Sequence, residues 1–439
     1  MANLNVRQRG KKWEYRFEAA VVDGKRKQIS KGGFRTKAEA EAAGVKALAE
    51  YNNTGLNFQP TDISVADYLD YWFEKSVKVN LSYNTQLGYF GIIENHLKPA
   101  FGIYRLKSLQ PSVLQDYFNG LKFKGYSKSS ILGILTTFHS ALEYARITCK
   151  FIAINPMADV KMPKIDKKPR ERIVLSEEEW QQIITRFPEG NRFHVMLMIG
   201  YHTGMRIGEV CGLTWDDIDF ENNTINICKQ MVKRNFNTDV RKAYELTGKK
   251  EKRCAWYFQP TKTESSTDII TMGPTLKAVL QKEKARQAQN ELMYGEFWTE
   301  HRLKSELDEK NNKIYRVIPV QKCVASTLPK ARLICVDEDG SFTSSDSFKY
   351  VARVVKAELK LAFDFHALRH THGTTLAESG VSPKAIQQRL RHANIETTFN
   401  TYIKATDKLK DEAVHAFEAA RGQKIKGGQS VDNGQTYGS

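Results

Sequence analysis

The chain has few cysteines and no long apolar run. Its six cysteines are scattered over 439 residues without a Cys-x-x-Cys pair, which excludes the dense disulfide framework of a small secreted protein. No apolar segment approaches the roughly 20 residues that a membrane helix needs. The first residues, Met-Ala-Asn-Leu-Asn, are soon followed by charged residues, so we expect no signal peptide. These absences predict a reduced, intracellular protein.

Negative charge is scarce relative to positive charge. The chain has 67 lysines and arginines against 50 aspartates and glutamates, a formal net charge of +17. Such a surplus predicts a polyanionic partner, with nucleic acid ahead of a membrane surface. The alternative is that the charge only aids solubility. The length favours two to four domains, each with its own core.

Residues 1 to about 53 predict a small three-stranded β-sheet followed by a helix. Trp13 to Val22 has the composition of a strand, Asp23-Gly24 is typical of a hairpin turn, and Arg26 to Ser30 can form the return strand. Lys37 to Tyr51 is alanine-rich and predicts the helix. A basic sheet can enter a DNA groove, although charged strands also protect a sheet edge from aggregation. The candidate DNA-binding residues are Arg7, Arg9, Lys11, Lys12, Arg16, Lys25, Arg26 and Lys27.

Residues 63 to about 158 predict a compact helical bundle, because four amphipathic segments are joined by short loops. A linker at 54–62 precedes it, and a proline-rich basic linker at 156–172 follows it. Ser64 is expected to cap the first helix. The other three are expected to span Tyr83 to His96, Pro111 to Lys122 and Ser127 to Ala145.

The remainder, from residue 173 to 421, predicts a mixed α/β domain, with a disordered Gly- and Ser-rich tail at 422–439. Ser176 and Glu179 form a capping box at its first helix. Lys229 to Ala255 and Lys282 to Lys330 interrupt the pattern as insertions, the second charged and partly helical. The predicted strands are Thr224 to Ile227, Tyr257 to Gln259 and Asp268 to Met272, and the predicted helices are Phe193 to His202, His366 to Ser379 and Pro383 to Arg391.

Two arginines and several histidines suit the chemistry of a phosphodiester. Cleavage requires stabilising charge on the two non-bridging oxygens, and the planar arginine fork bonds such oxygens in pairs without losing its charge. Arg206 follows Gly204 at a turn into a helix, and its neighbour Glu209 is expected to support that helix. His366 and Arg369 lie three residues apart on one helix face and can address one phosphate.

A tyrosine and a lysine complete a candidate reaction centre. Tyr402 follows His392 by ten residues. At its ordinary pKa of about 10 a tyrosine is a weak nucleophile, so it needs cationic groups or a base nearby. His392 can donate to a phosphate oxygen, and Lys262, in a predicted hairpin loop, can supply a proton to the leaving oxygen.

These residues lie in four motifs that resemble the tyrosine recombinases, most closely the integrases of phages and conjugative transposons. The motifs are TGMRIGE around Arg206, TKTESS around Lys262, HALRHTHGT around His366 and Arg369, and LRHANIETTFNTY through His392 and Tyr402. Taken together, in this order, they are specific. The resemblance spans the chain and implies an arm-type DNA-binding domain at 1–53, a helical core-binding domain at 63–158 and a catalytic domain at 173–421.

The resemblance also implies a mechanism. Arg206, Lys262, His366, Arg369 and His392 would activate the phosphate, and Tyr402 would form a 3′-phosphotyrosine that is later resealed without ATP or metal. The enzyme would integrate and excise a mobile element in a bacterial cytoplasm, at the nucleoid. Its partners would be double-stranded DNA at core and arm sites, three further copies in a homotetramer, and an accessory directionality protein.

One residue departs from the family pattern, and three alternatives stand beside this interpretation. Arg391 occupies a position where the family usually has glycine, and a left-handed backbone there would cost about 1 kcal/mol. His366 and His370 have the spacing of a zinc pair, but no His-Glu-x-x-His motif accompanies them. A type IB topoisomerase shares the tyrosine chemistry, and a non-catalytic DNA-binding protein would share the charge.

Overall fold

The computed structural model describes residues 4–10, 12–18, 28–54, 63–165, 172–235, 240–245, 254–261, 267–308 and 310–392. Contacts divide the chain into two compact units, Met1–Asp166 and Lys167–Ser439.

The first unit begins with an antiparallel sheet covered by one helix. Strand order is β1-β2-β3, and Tyr15 and Phe17 of β2 are buried on the face that packs against the helix. Alternation along β2 puts the intervening Glu14 and Arg16 on the other face. The elements are β1 (Asn5–Arg9), β2 (Lys12–Glu18), β3 (Gln28–Phe34) and α1 (Lys37–Thr54).

The rest of the first unit is helical, and its core is aromatic. Ser64 caps α2 by accepting from the Asp67 backbone N–H. Tyr68 is fully buried and donates its hydroxyl to the carbonyl of Ala141 in α7, so the first and last helices of the bundle are tied together. The helices are α2 (Val65–Trp72), α3 (Lys78–Asn80), α4 (Tyr83–Ile92), α5 (Lys98–Phe101), α6 (Pro111–Phe123) and α7 (Lys128–Ile147), with π-helical turns at Phe73–Val77 and Ile93–Leu97.

The second unit is built around α9, a helix that is apolar on nearly all sides and therefore central. α14 crosses α9 at Gly200, where a Cβ would lie 2.7 Å from the Phe365 ring and 2.8 Å from Leu368. Glycine thus permits the close packing of α14, the helix that contains His366 and Arg369, against α9. The helices are α8 (Glu177–Arg186), α9 (His194–Thr203), α10 (Ile207–Cys211), α11 (Val240–Glu245), α12 (Pro274–Tyr294), α13 (Lys349–Val354), α14 (Phe365–Glu378) and α15 (Pro383–Leu390).

Two antiparallel sheets complete the second unit. One has the order β4-β5-β8 and the other β11-β9-β10-β7-β6. The strands are β4 (Ile218–Asp219), β5 (Thr224–Ile227), β6 (Lys229–Asn235), β7 (Cys254–Pro260), β8 (Asp268–Thr271), β9 (Thr299–Leu307), β10 (Lys313–Gln321) and β11 (Lys330–Ala331).

The predicted fold class, mainly α with small β-sheets, is confirmed, and the Ser176–Glu179 capping box is present. The two insertions differ from prediction. They supply β6, β9 and β10 and so form most of the five-stranded sheet. The helical part of the second insertion ends at Tyr294. It is followed by a hairpin of two nine-residue strands, β9 and β10, which are joined at 308–312. No helix among the described residues is long and apolar enough to cross a membrane.

Candidate active site

The turn before Arg206 requires glycine. α9 ends at Gly204, whose φ of +65° lies in the left-handed region. A Cβ there would lie 2.6 Å from Leu390 Cδ2, so a larger residue would collide with the end of α15 and also strain the backbone. The chain therefore turns sharply and presents Arg206, the residue before α10, beside the end of α15.

A buried carboxylate holds Arg206. The Arg206 backbone N–H donates to Glu209 Oε2 at 3.0 Å, and Arg206 Nη1 donates to Oε1 at 2.7 Å. Burial alone would raise the pKa of Glu209, but the charge of Arg391 and the hydrogen bonds and charge of Arg206 outweigh it and lower that pKa. Glu209 is thus an ionised support for Arg206, which is the role predicted for it.

Arg369 is almost completely buried, at 2% exposure. Its Nη1 donates to the Gly204 carbonyl at 2.6 Å, and its Nη2 donates to the Leu390 carbonyl. These bonds connect α14 both to the glycine turn and to the end of α15. A guanidinium in this position fixes the relative placement of the two segments that carry Arg206 and His392.

The two predicted arginines meet at one helix end. Arg369 binds the carbonyl of Leu390, and Arg206 Nη2 makes a long contact of 3.5 Å to the carbonyl of the next residue, Arg391. Helix C-termini carry partial negative charge, which favours guanidinium groups there. Arg206 and Arg369, which are more than 160 residues apart in sequence, therefore contact the carbonyls of two consecutive residues.

His392 follows directly after these two carbonyls. Its backbone N–H donates to the Gln387 carbonyl at 3.1 Å, and its own carbonyl accepts from Gln387 Nε2 at 3.0 Å. Partial burial, followed by the charges of Arg369 and Arg206, lowers the pKa of His392 to about 3. The charges of the same two arginines lower the pKa values of both His392 and His366, so these four groups lie near one another.

His366 and His370 lie one turn apart on α14, on the side that also carries Arg369. Their ring centroids are 4.9 Å apart, and the ring planes are nearly perpendicular. His366 keeps an exposed edge, yet partial enclosure, followed by the charges of Arg369 and Arg206, lowers its pKa. The pKa of His370 falls to about 4, chiefly through burial. Among the described residues no three His, Cys, Asp or Glu side chains group as metal ligands.

The lowered histidine pKa values predict that binding of a phosphate anion, such as that of DNA, will depend on pH at this site. Free His366 and His392 are neutral at pH 7, and a phosphate anion among the arginines would raise their pKa values again. The complex then holds more protons than the free components as the pH falls from 7, so affinity should increase toward pH 5. Calorimetric titration at pH 6 in two buffers of different ionisation heat should show uptake of up to about one proton per site. His392→Gln should reduce that uptake, His139→Gln should not, and equal heats in both buffers would contradict the prediction.

The backbone of Arg391 is left-handed, as the departure from glycine suggested. Its φ is +56° and its ψ +48°, at a cost of about 1 kcal/mol for a residue with a Cβ. Nothing in the sequence indicated which group its side chain binds. That side chain is buried and its Nη2 donates to Glu209 Oε2 at 2.6 Å. Arg389 was also missed; its Nη1 donates to the Thr271 carbonyl at 2.7 Å and anchors α15 to β8.

The described part of the chain does not include every predicted residue. Lys262 and Tyr402 lie outside it, as do Lys11, Lys25, Arg26 and Lys27 of the amino-terminal sheet. Of the remaining basic residues there, Arg7 Nε binds Glu14 at 2.5 Å and Arg9 Nη1 lies 3.8 Å from the same carboxylate, while Lys12 is exposed and Arg16 half-buried. Glu14 thus sits among three arginines, and this face keeps a positive surplus.

A two-arginine, multi-histidine cluster on a helical catalytic unit defines a class of phosphodiester-cleaving DNA enzymes, and comparison with known proteins gives the family. The phage integrase family model matches residues 174–408, over half of the chain. An integrase N-terminal SAM-like domain matches 64–122, and an arm DNA-binding domain matches 5–50. The chain belongs to the phage integrase family. It is a tyrosine recombinase that cleaves and rejoins DNA in site-specific recombination, which confirms the prediction from the four motifs.

Individual relatives agree with this assignment. The chain is 26% identical over 389 residues to a XerC-like tyrosine recombinase of Caldanaerobacter subterraneus subsp. tengcongensis, covering 87% of this chain and 89% of that one. It is 23% identical over 333 residues to the Tn916 transposase of Enterococcus faecalis, covering 74% and 70%. A Tn1549 transposon integrase in complex with circular intermediate DNA shares the fold at a TM-score of 0.58, with 21% identity over 81% of this chain and 99% of that one. A lambda integrase tetramer bound to a Holliday junction has a TM-score of 0.50, with 17% identity over 92% and 95%.

Proposed function

We propose that Arg206, Arg369, His366 and His392 bind one scissile phosphodiester and that Tyr402 attacks it. The Tyr402 phenol gives its proton to solvent as its oxygen forms a bond to phosphorus, and the bond from phosphorus to the 5′ oxygen breaks. Lys262 gives its proton to that oxygen, which leaves as a hydroxyl. The product is a 3′-phosphotyrosine, whose bond retains the energy for rejoining when a 5′ hydroxyl attacks in the reverse sense.

The observation that carries this proposal is the meeting of Arg206 and Arg369 at the carbonyls of residues 391 and 390, immediately before His392. Negative charge grows on the non-bridging oxygens in the transition state, so fixed cationic donors stabilise it more than the ground state. Arg206 keeps 39% of its side chain exposed, which leaves it accessible to a phosphate. Arg369 is buried, so its guanidinium would act on the phosphate from the interior side of the site.

We further propose that the reaction integrates and excises a mobile genetic element. Relatives include transposases of Tn916 and an integrase of the element ICEBs1, and solved structures of the same fold contain transposon-end DNA or a tetramer on a Holliday junction. By analogy, four copies act on two DNA segments in the bacterial cytoplasm, at the nucleoid, and an accessory protein sets direction. Residues 1–53 would bind arm sites, 63–158 core sites, and 173–421 would catalyse, with 422–439 as a tail.

A nicked suicide duplex tests this function. The duplex carries the element's attachment site and a break next to the scissile position. After cleavage the short fragment with the new 5′ hydroxyl diffuses away, so rejoining is prevented and the covalent adduct is trapped. We expect a protein–DNA band on a denaturing gel that depends on the attachment sequence. Relaxation of an arbitrary supercoiled plasmid without site preference would instead support a topoisomerase, and DNA binding without any adduct would support a non-catalytic binding protein.

A further inference from the structure

Arg391 is unusual in three respects that together call for an explanation. It has a left-handed backbone, with φ at +56°. It is buried to 2% exposure although it is charged. It also directly precedes His392. A glycine would avoid both the strain and the burial of a guanidinium, so the side chain must supply something that glycine lacks.

What it supplies is a second cation on Glu209. Arg391 Nη2 donates to Oε2 at 2.6 Å, with side-chain exposures of 1% and 4%. Arg206 Nη1 donates to the other oxygen, Oε1, at 2.7 Å. One carboxylate is thus shared between two guanidinium groups, one buried and one reaching the space where the phosphate would lie.

Arg391 determines the net charge of the cluster that it forms with Glu209 and Arg206. Glu209 and Arg206 alone would form a neutral pair, and the carboxylate would oppose much of the field that Arg206 exerts on a phosphate. With Arg391 included, two positive charges and one negative charge leave the cluster at +1. The Arg391 and Glu209 side chains are 1% and 4% exposed, and solvent screens buried charges only weakly, so the net charge of the cluster has a large effect on an anion bound beside Arg206.

Resting on the function proposed above, we propose that Arg391 is a positioning residue. It neutralises Glu209 from the buried side, so that Arg206 stays oriented by the carboxylate yet remains cationic toward the scissile phosphate. Arg391 need not touch the DNA. Its carbonyl, aimed at Arg206 Nη2 by the left-handed backbone, adds a second restraint on the same side chain.

Arg391→Met removes the charge and keeps much of the side-chain volume. We expect single-turnover cleavage of the suicide duplex at saturating DNA to slow by about 10- to 100-fold, less than loss of a direct donor. The dissociation constant for DNA should change by less than about twofold, because the change affects the transition state rather than ground-state binding. Arg391→Lys should recover part of the rate.

The decisive comparison adds Glu209→Gln to Arg391→Met. Glutamine keeps an acceptor for Arg206 but removes the negative charge, so the cluster returns to +1. The double variant should therefore cleave about tenfold faster than Arg391→Met alone. A purely structural role for Arg391 predicts the opposite, since a second substitution would add to the damage.

Each rate is measured on protein shown by circular dichroism to be folded. If Arg391→Met does not fold, Arg391→Gly, which relieves the left-handed strain, carries the same comparison with and without Glu209→Gln. Wild-type cleavage by the single variant, or a double variant no faster than the single, would overturn the inference. Failure of the wild-type chain to form any adduct would instead refute the proposed function.

Discussion

Tyr402→Phe should abolish covalent attachment to DNA while leaving DNA binding unchanged. Phenylalanine keeps the ring but has no oxygen to attack phosphorus. Loss of a nucleophile removes nearly all of the chemical rate, so adduct formation on the suicide duplex should fall by more than about 10⁴-fold. The dissociation constant for the same duplex, measured by gel shift, should stay within about twofold, because the phenol contributes to the transition state more than to binding.

Tyr350→Phe is the matched control for this prediction. Tyr350 is 47% exposed on the second unit and stacks on Phe193, so its hydroxyl has no part in the proposed chemistry. Peptide mapping of the wild-type adduct by mass spectrometry should place the nucleotide on Tyr402. An adduct of undiminished yield from Tyr402→Phe would show that another side chain is the nucleophile.

Arg369→Ala should both destabilise the second unit and stop cleavage. The substitution leaves the Gly204 and Leu390 carbonyls without their buried donor. Each orphaned buried acceptor costs about 1–3 kcal/mol, so the free energy of unfolding should fall by roughly 2–6 kcal/mol. Cleavage measured on the folded fraction should fall by at least about 10²- to 10³-fold, as for loss of one transition-state donor.

Arg369→Lys separates these two effects. It keeps a positive charge, but one ammonium group cannot reproduce the planar fork that bonds both carbonyls, so stability should be only partly restored. Arg332→Ala is the control. Arg332 pairs with Asp216 on the surface, with side chains 54% and 62% exposed, and exposed pairs contribute at most about 1 kcal/mol. Urea denaturation measures all three, and an Arg369→Ala protein as stable as Arg332→Ala would contradict the structural part of the account.

The sequence predicted those parts of the fold that depend on local signals. Ser176 with Glu179 marks a helix start, and Gly204 marks a helix end, because capping and positive φ are properties of a few adjacent residues. The same holds for His366 and Arg369, whose spacing on one helix face needs no knowledge of the rest of the chain.

The features that were missed depend either on mixed burial along a strand or on contacts between distant segments. β9 buries two consecutive polar residues, Glu300 and His301, which hides the alternation by which strands are recognised. The Arg391 to Glu209 ion pair joins positions 182 residues apart. A departure from glycine indicated that residue 391 was unusual, but only the structure shows which carboxylate its side chain binds.

Arg206 and the neighbouring cations are proposed to neutralise charge on one scissile phosphate, and a duplex with a methyl group in place of one non-bridging oxygen of that phosphate tests this role most directly. The methylated link carries no charge, so its transition state needs less stabilisation by positively charged side chains. Cleavage by Arg206→Ala should be about 10²- to 10³-fold slower than wild type on the normal phosphate. On the methylated link the cleavage rate of Arg206→Ala should be only about tenfold, or less, below that of the wild type. An equal deficit on both duplexes would mean that Arg206 does not act on the phosphate charge.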